Sequence, residues 1–390
     1  MKLFTEYPEK DERRYYELLA EQAKRQMDKL YGGEDSARRD THAKTHAAVR
    51  GTLEIFDFDE DAIKNAQPNP AQLQGVSLKQ GLLSQPKAYS VWLRFANGRT
   101  TVENDYVDDT RSMSVKVMGV EGERLAGSHE AHAQDIIVQN AEIFFIKTIA
   151  DYYGFFSAVV ESKQAAFKWL LTHPRQFLAL KKITGRMPKS LLTERYWSGS
   201  ASALGLPSGF DATQPGQVPV TYPAVVKYAF TPVSGQPPHS PIPFEMRSGI
   251  PKFPWSDRAK ALGFENGKRD NYYRDDLVRE LAKPEARYCW DFGIQIQGSP
   301  QMSIDDVTVA WDEMRSPFVT VGRLTVTHQT IDWTQQEDFA ENLRFSPWNG
   351  LAVHRPVGAL NRLRNIVYPI VAEYRHRKRG VEYREPTANH

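Results

Sequence analysis

Three residues near the end of the chain, Arg364, Tyr368 and Arg375, are spaced four and seven apart. On an α-helix, at about 100° per residue, all three point within about 40° of one another. A free tyrosine has a pKa near ~10 and is a poor anionic ligand at neutral pH. A guanidinium one turn away favours the phenolate, and so does a ferric ion, so this face could present a tyrosinate ligand to iron. Pro369 follows Tyr368 directly and is expected to kink or interrupt the helix. Taken alone, the segment reads more readily as an amphipathic helix with a packed tyrosine and solvated arginines, because Arg/Tyr pairs four apart are common on helices.

A second set lies more than three hundred residues upstream, in Arg39-Asp40-Thr41-His42-Ala43-Lys44. Imidazole exchanges protons near pH 7, so His42 could take a proton from one oxygen of a peroxide and return it to the other. With both sets in view, the sequence resembles the haem catalase superfamily. Arg39 and His42 match its Arg-x-x-His-Ala-Lys run. Arg364, Tyr368, Pro369 and Arg375 match its Arg-x-x-x-Tyr-Pro pattern with a later arginine. Leu93-Arg94-Phe95, the stretch 110–116 and the stretch 139–146 follow in the family's order, with weaker likeness at 196–199, 317–324 and 345–347.

The resemblance implies haem b, with Tyr368 as the metal ligand and Arg364 beside it. It implies Arg39, Arg94 and Arg375 as partners of the haem propionates, a task suited to forked guanidiniums. Phe144 and Phe145 are implied as pocket walls. The distal amide is Gln139 or Asn140; the register gives Gln139, while residue type favours Asn140, and a one-residue shift in a strand reverses the face presented. His46 competes with His42, but the register favours His42 and leaves His46 a structural or surface residue.

Three departures bear on the reaction. Thr41 replaces an apolar residue ahead of the histidine, and its hydroxyl could bond His42 or a peroxide. Ala96 stands where the family has a serine that supports the imidazole, so that bond is missing or replaced. Ala372 replaces a histidine four residues after Tyr368. The chain is also shorter than most catalases. These features point towards the smaller catalase-related haem proteins: a peroxidase that reduces or converts organic or fatty-acid hydroperoxides. The alternatives are a hydroperoxide isomerase or dehydratase, a true catalase acting on hydrogen peroxide, and a haem carrier or sensor without turnover.

These groups need a scaffold that brings residues 39–46, 94, 139–145 and 364–375 together. The expected fold is α+β: an antiparallel β-barrel with an N-terminal helix and arm at 1–37, a haem-binding body at 38–379 and a polar tail at 380–390. Alternating apolar residues predict strands at 51–56, 89–95, 113–118, 136–138, 225–230, 287–297, 307–311 and 318–326. Helices are expected at 11–31, 143–185 with a break near His173-Pro174, 336–344 and 357–379, and long wrapping loops at 206–222 and 231–254.

The 390 residues hold 50 basic and 48 acidic side chains, a balance that argues against a nucleic-acid partner. Cys289 is the single cysteine and reads as a small core residue. The first residues lack the apolar core of a secretory signal, and no run is long enough to span a bilayer, so the cytoplasm is the expected location. The stretch 167–192 is apolar and basic at helical spacing. It fits a helix pair resting on a lipid surface, or one packed on the barrel. Residues 1–37 could mediate a homo-oligomer, as N-terminal arms do in catalases.

Overall fold

Strands that alternate small, branched and aromatic side chains need both faces covered, and here a closed barrel covers one and a shell of helices the other. The computed structural model describes residues 2–32, 37–105, 107–210, 220–233 and 271–387. Its strands are β1 (Thr5–Glu6), β2 (Thr45–Ile55), β3 (Lys87–Asn97), β4 (Arg111–Met118), β5 (Ala133–Gln139), β6 (Tyr196–Trp197), β7 (Ala201–Leu204), β8 (Val220–Thr221), β9 (Ala224–Pro232), β10 (Arg287–Ile296), β11 (Val319–Thr327) and β12 (Pro356–Val357). Its α-helices are α1 (Glu12–Tyr31), α2 (Glu60–Asn65), α3 (Ile149–Glu161), α4 (Lys163–Thr172), α5 (Pro174–Thr184), α6 (Tyr272–Leu281), α7 (Trp333–Asn342) and α8 (Ala359–Lys378).

Antiparallel neighbours run β10-β11-β2-β3-β4-β5-β6-β9, and β9 pairs back onto β10, which closes an eight-stranded barrel and removes its edges. β7 pairs with β9 and carries β12, while β1 pairs with β8. Leu93, Phe95, Met113, Val115, Ile136 and Val138 belong to the interior core. The alternate residues Arg94, Ala96, Ser112 and Ser114 point outward yet are also buried. The outer shell includes α7, which packs on β2 and β3 through Ala340, Leu343, Ala48 and Trp92. A second core joins α1, α3 and α8 through Leu19, Ala23, Met27, Phe156, Leu363 and Val367.

The N-terminal segment packs against the body of the same chain. Arg362 on α8 meets Glu6 at 2.5 Å, Glu12 at 2.6 Å and Asp305 at 2.9 Å. Differences from the expected strands and helices have local causes. Residues 307–311 form a loop rather than a strand, because Asp306 accepts from the Thr308 N–H and hydroxyl, closing a turn, and Val307 packs into the helical core. β2 begins at Thr45, earlier than expected, because its polar residues find buried partners on neighbouring elements. Residues 143–185 divide into three helices, with Ser162 capping α4 and Pro174 opening α5. α8 runs through Pro369 without interruption, held on both sides by Val367 and Val371 in the second core. Most of the expected wrapping loops, 211–219 and 234–254, lie outside the described residues.

Two consequences can be measured. Arg362→Leu leaves three acidic groups without their shared cation, and is expected to destabilise the fold by about 3–5 kcal/mol; an unchanged urea midpoint would show that the carboxylates repack without cost. The second concerns acid. Burial holds His46 and His354 at about 4, His376 at about 3 and His129 at about 2, against an ordinary 6.5. Below pH 6.5 the unfolded chain therefore binds protons that the folded chain refuses, so stability is full above that pH and falls beneath it. The contribution of these rings to the urea midpoint is expected to fall between about pH 7 and about pH 5, opposed by Asp40, Asp135 and Glu194, whose carboxyls burial raises; a His354→Asn variant with the same pH profile as the parent would contradict the neutral burial of that ring.

Candidate active site

His42 sits in the loop that enters β2, with a φ of 55°, a left-handed conformation that costs a non-glycine residue about 1–3 kcal/mol. Two bonds over-determine it: its N–H donates to the Gly98 carbonyl at 3.2 Å, and its carbonyl accepts from Arg94 at 2.8 Å. Its Nδ1 lies 3.0 Å from the Ser112 hydroxyl, which is 3.2 Å from the Ala96 carbonyl. A hydroxyl has one proton. Donated to the Ala96 carbonyl, it leaves Ser112 Oγ to accept from Nδ1–H, and Nε2 then keeps the free lone pair of a general base. Burial, with the charges of Arg94 and Arg364, lowers the imidazole to about 3. The residue as a whole is half-buried.

The support that Ala96 cannot give thus comes from Ser112. The two residues are cross-strand partners in the β3–β4 register, so directly opposed positions on one face supply equivalent places for a hydroxyl. His46, the rival, is fully enclosed: its Nε2 is 2.8 Å from Asn97 Oδ1 and its ring meets the edge of Tyr273.

The two amides divide clearly. Gln139 pairs with Ser112 and shares its outer face, and its Nε2 donates to the Ile143 carbonyl at 3.1 Å. Asn140, just past β5, accepts from the Arg111 N–H at 2.7 Å while its buried Nδ2 has no partner among the described residues. An unmatched buried donor is costly, so Asn140 is the amide with an N–H to offer a guest. Thr41 is half-buried beside His42. Phe144 stacks on Phe145 with centroids 5.4 Å apart and on Tyr152 at 6.1 Å, forming a half-buried aromatic wall.

Arg39, Arg94 and Arg375 converge on α7, around Glu341. Arg39 meets its carboxylate at 3.0 Å and also bonds the Leu343 carbonyl, which Arg375 reaches at 3.2 Å. Arg94 bonds the Thr45 hydroxyl at 3.1 Å, and that hydroxyl donates to Glu341. Burial alone would raise the Glu341 carboxyl, but Arg39, Arg94, the Thr45 bond and Arg375 hold it at about 2. The guanidiniums move the other way. All three are buried and lowered, first by burial and then by neighbouring guanidiniums: Arg379 and Arg38 act on Arg39, Arg39 and Arg38 on Arg94, and Arg39 and Arg94 on Arg375. Arg38 joins them, 3.7 Å from Glu341 and 2.8 Å from Glu337, so four guanidiniums face two carboxylates, and positive charge is in excess. Asp40, pushed up to about 6 by burial, offsets it only partly.

On α8, the Arg364 guanidinium lies 5.9 Å from the Tyr368 ring centroid and is fixed by Ser200 and Asn361, both at 3.1 Å. Tyr368 is half-buried, and among the described residues its hydroxyl makes no hydrogen bond. Arg364 acts electrostatically on His42, and Tyr368 on Tyr152. The two sets separated in sequence therefore face a common region. Sequence reasoning missed Ser112, Glu341, Thr45 and Tyr152. Ser112 was recoverable, as the outward residue opposite Ala96; Glu341 gave no signal, since a lone glutamate on a polar helix looks solvated.

No protein-family model and no curated protein matches the sequence. Solved structures do match. A fungal catalase aligns over 87% of this chain and 59% of its own, at 17% identity and a TM-score of 0.60. A bacterial catalase aligns over 87% and 57%, at 16% identity and a TM-score of 0.57. Catalase A from Saccharomyces cerevisiae aligns over 87% and 61%, at 16% identity and a TM-score of 0.58. The chain spans 57–61% of the length of these proteins. At such identity the likeness concerns architecture, and with the closed barrel, the outer helices and the order of the strands it leads to one statement: this chain has a catalase-like fold.

Proposed function

We propose that the chain is a haem enzyme acting on peroxides, with organic or fatty-acid hydroperoxides as its substrates. The observation that carries this reading is the cluster of three buried guanidiniums sharing Glu341, next to a neutral imidazole and an unbonded phenol. An excess of buried positive charge calls for an anionic ligand, and haem b brings two propionates. The unmatched Asn140 Nδ2 and the buried, unmatched Nε of Arg375 fit a site that a polar guest completes. Arg39, Arg94 and Arg375 would hold the propionates, Tyr368 would ligate the iron with Arg364 favouring its phenolate, and Phe144 and Phe145 would flank the ring.

Bound haem supplies an iron at which a peroxide oxygen can bind and the O–O bond can break. The protein's own groups manage protons and water. His42 Nε2 takes the proton of the peroxide and returns it to the departing oxygen, while Ser112 holds Nδ1 and keeps the base form available. Asn140 Nδ2 donates to a peroxide oxygen, and Phe144, Phe145 and Tyr152 keep water from the region. Hydrogen peroxide remains the second reading, favoured by Ser112, because the imidazole support that Ala96 lacks is supplied from the opposite strand.

Two experiments test this. Titration of the pure protein with haem is expected to give a 1:1 complex with a tyrosinate-ligated ferric spectrum that Tyr368→Phe abolishes; the same spectrum from the variant would remove Tyr368 as ligand. Turnover should be measured with hydrogen peroxide and with a fatty-acid hydroperoxide, with product analysis to separate reduction from isomerisation. His42→Gln is expected to lower turnover by about 10²–10⁴-fold. Ser112→Ala should cost about tenfold and displace the pH profile, since it frees the imidazole tautomer rather than removing the base. Equal activity in His42→Gln and the parent would refute the acid–base assignment.

A further inference from the structure

The helix pair α4–α5 exposes what a globular surface usually covers. Among the described residues seven large apolar side chains are exposed, and three are here: Phe167 at 54%, Leu171 at 59% and Leu178 at 68%. Residues 162–193 also contain seven lysines and arginines and no aspartate or glutamate. The two features share faces. Lys163, Phe167 and Leu171 are spaced by four on α4, and Arg175, Leu178 and Lys182 by three and four on α5, so cations flank apolar residues along each helix. Lys163, Lys181, Lys182 and Arg186 reach acidic partners on the body, at 3.5, 3.6, 3.9 and 2.9 Å. Lys168 and Arg175 are exposed and make no ion pair among the described residues.

The opposite face is well seated. Ile183, Ala179 and Leu180 of α5 pack on Ala141, Ile143, Phe145 and Ile146, the loop that continues from Asn140. No helix of the described residues is long and apolar enough to cross a membrane.

We propose that α4–α5 is a docking surface for an anionic lipid bilayer. Phe167, Leu171 and Leu178 enter the headgroup boundary while the flanking cations reach the lipid phosphates and carboxylates. Charge complementarity selects this occupant. A second copy of the chain, docking symmetrically, would set the exposed and unpaired Lys168 and Arg175 against their own counterparts, with no acidic residue on the helix pair to answer them. The docked surface then lies directly over the loop of Asn140, so a fatty-acyl hydroperoxide leaving the bilayer meets the site without crossing bulk water. That use rests on the haem reading; the docking itself does not.

The test is flotation of the full chain with vesicles of phosphatidylcholine alone or mixed with phosphatidylserine. Binding is expected to the mixed vesicles, much less to the neutral ones, and to weaken as salt rises. Combined Phe167→Ser, Leu171→Ser and Leu178→Ser should reduce partitioning by about tenfold or more, and so should Lys168→Glu with Arg175→Glu. Far-ultraviolet circular dichroism and the haem titration of each variant confirm that fold and site are intact. No flotation with anionic vesicles overturns the proposal, as does binding that both sets of substitutions leave unchanged, or a concentration-dependent dimer that the apolar substitutions dissolve without any vesicle binding. Vesicle binding by a chain that takes up no haem would leave the docking surface standing and remove the peroxide reading, and the converse result would do the opposite.

Discussion

One buried carboxylate, Glu341, holds together parts of the chain that nothing else in the sequence would join. It receives Arg39 from the loop before β2 and the Thr45 hydroxyl at the start of that strand, and through Thr45 it connects to Arg94 on β3. Arg375, from the last helix, is close enough to lower its pKa. Taking such a group out of water costs several kcal/mol unless charge and hydrogen bonds answer it on every side. Here they do so with cation to spare. The surplus is the notable part, because a purely structural ion cluster gains nothing from three guanidiniums that raise one another's energy.

That surplus constrains the neighbouring groups. Arg94 is anchored on Thr45 and also grips the His42 carbonyl, so the arginine that faces Glu341 fixes the backbone of the proposed base. His42 adopts its left-handed conformation between that bond and the Gly98 carbonyl. The barrel supplies what this requires: β3 and β4 give their inner residues to the core and their outer ones to the site, so each strand is read on both faces. A single register therefore fixes hydrophobic packing and the geometry of the candidate site together.

Much of this was legible from residue order because most strands carry alternation dense enough to mark them, and because the five patterned stretches contain unusual combinations such as His42 three residues after Arg39 and Tyr368 beside Pro369. What escaped has physical reasons. Residues 307–311 alternate like a strand, yet the Asp306 side chain closes a turn that a propensity argument cannot weigh against pairing. The polar opening of β2 looked like loop because its partners, Asn97 and Glu341, lie 51 and 296 residues away. The choice between Gln139 and Asn140 could not be made from type and register, since it depends on which amide nitrogen finds a backbone partner: Gln139 Nε2 does, and Asn140 Nδ2 has none among the described residues although its Oδ1 is bonded.

Ala96 shows how far a substitution at one position can mislead when it is judged alone. In sequence it removes a hydroxyl from the strand beside the imidazole. In the sheet, its cross-strand partner Ser112 places a hydroxyl against the same Nδ1, and the Ala96 carbonyl orients that hydroxyl. The constraint is on a position in space rather than in the chain: a neutral acceptor must meet Nδ1 so that Nε2 stays free. Any residue whose register reaches that point satisfies it. The same logic separates the two levels of the functional reading. The imidazole of His42 and the guanidiniums around Glu341 are held by strand register and by that carboxylate, whereas the aromatic wall and the helix pair packed over the Asn140 loop are surfaces that no strand register fixes, and on the proposed reading it is they that would choose among peroxides.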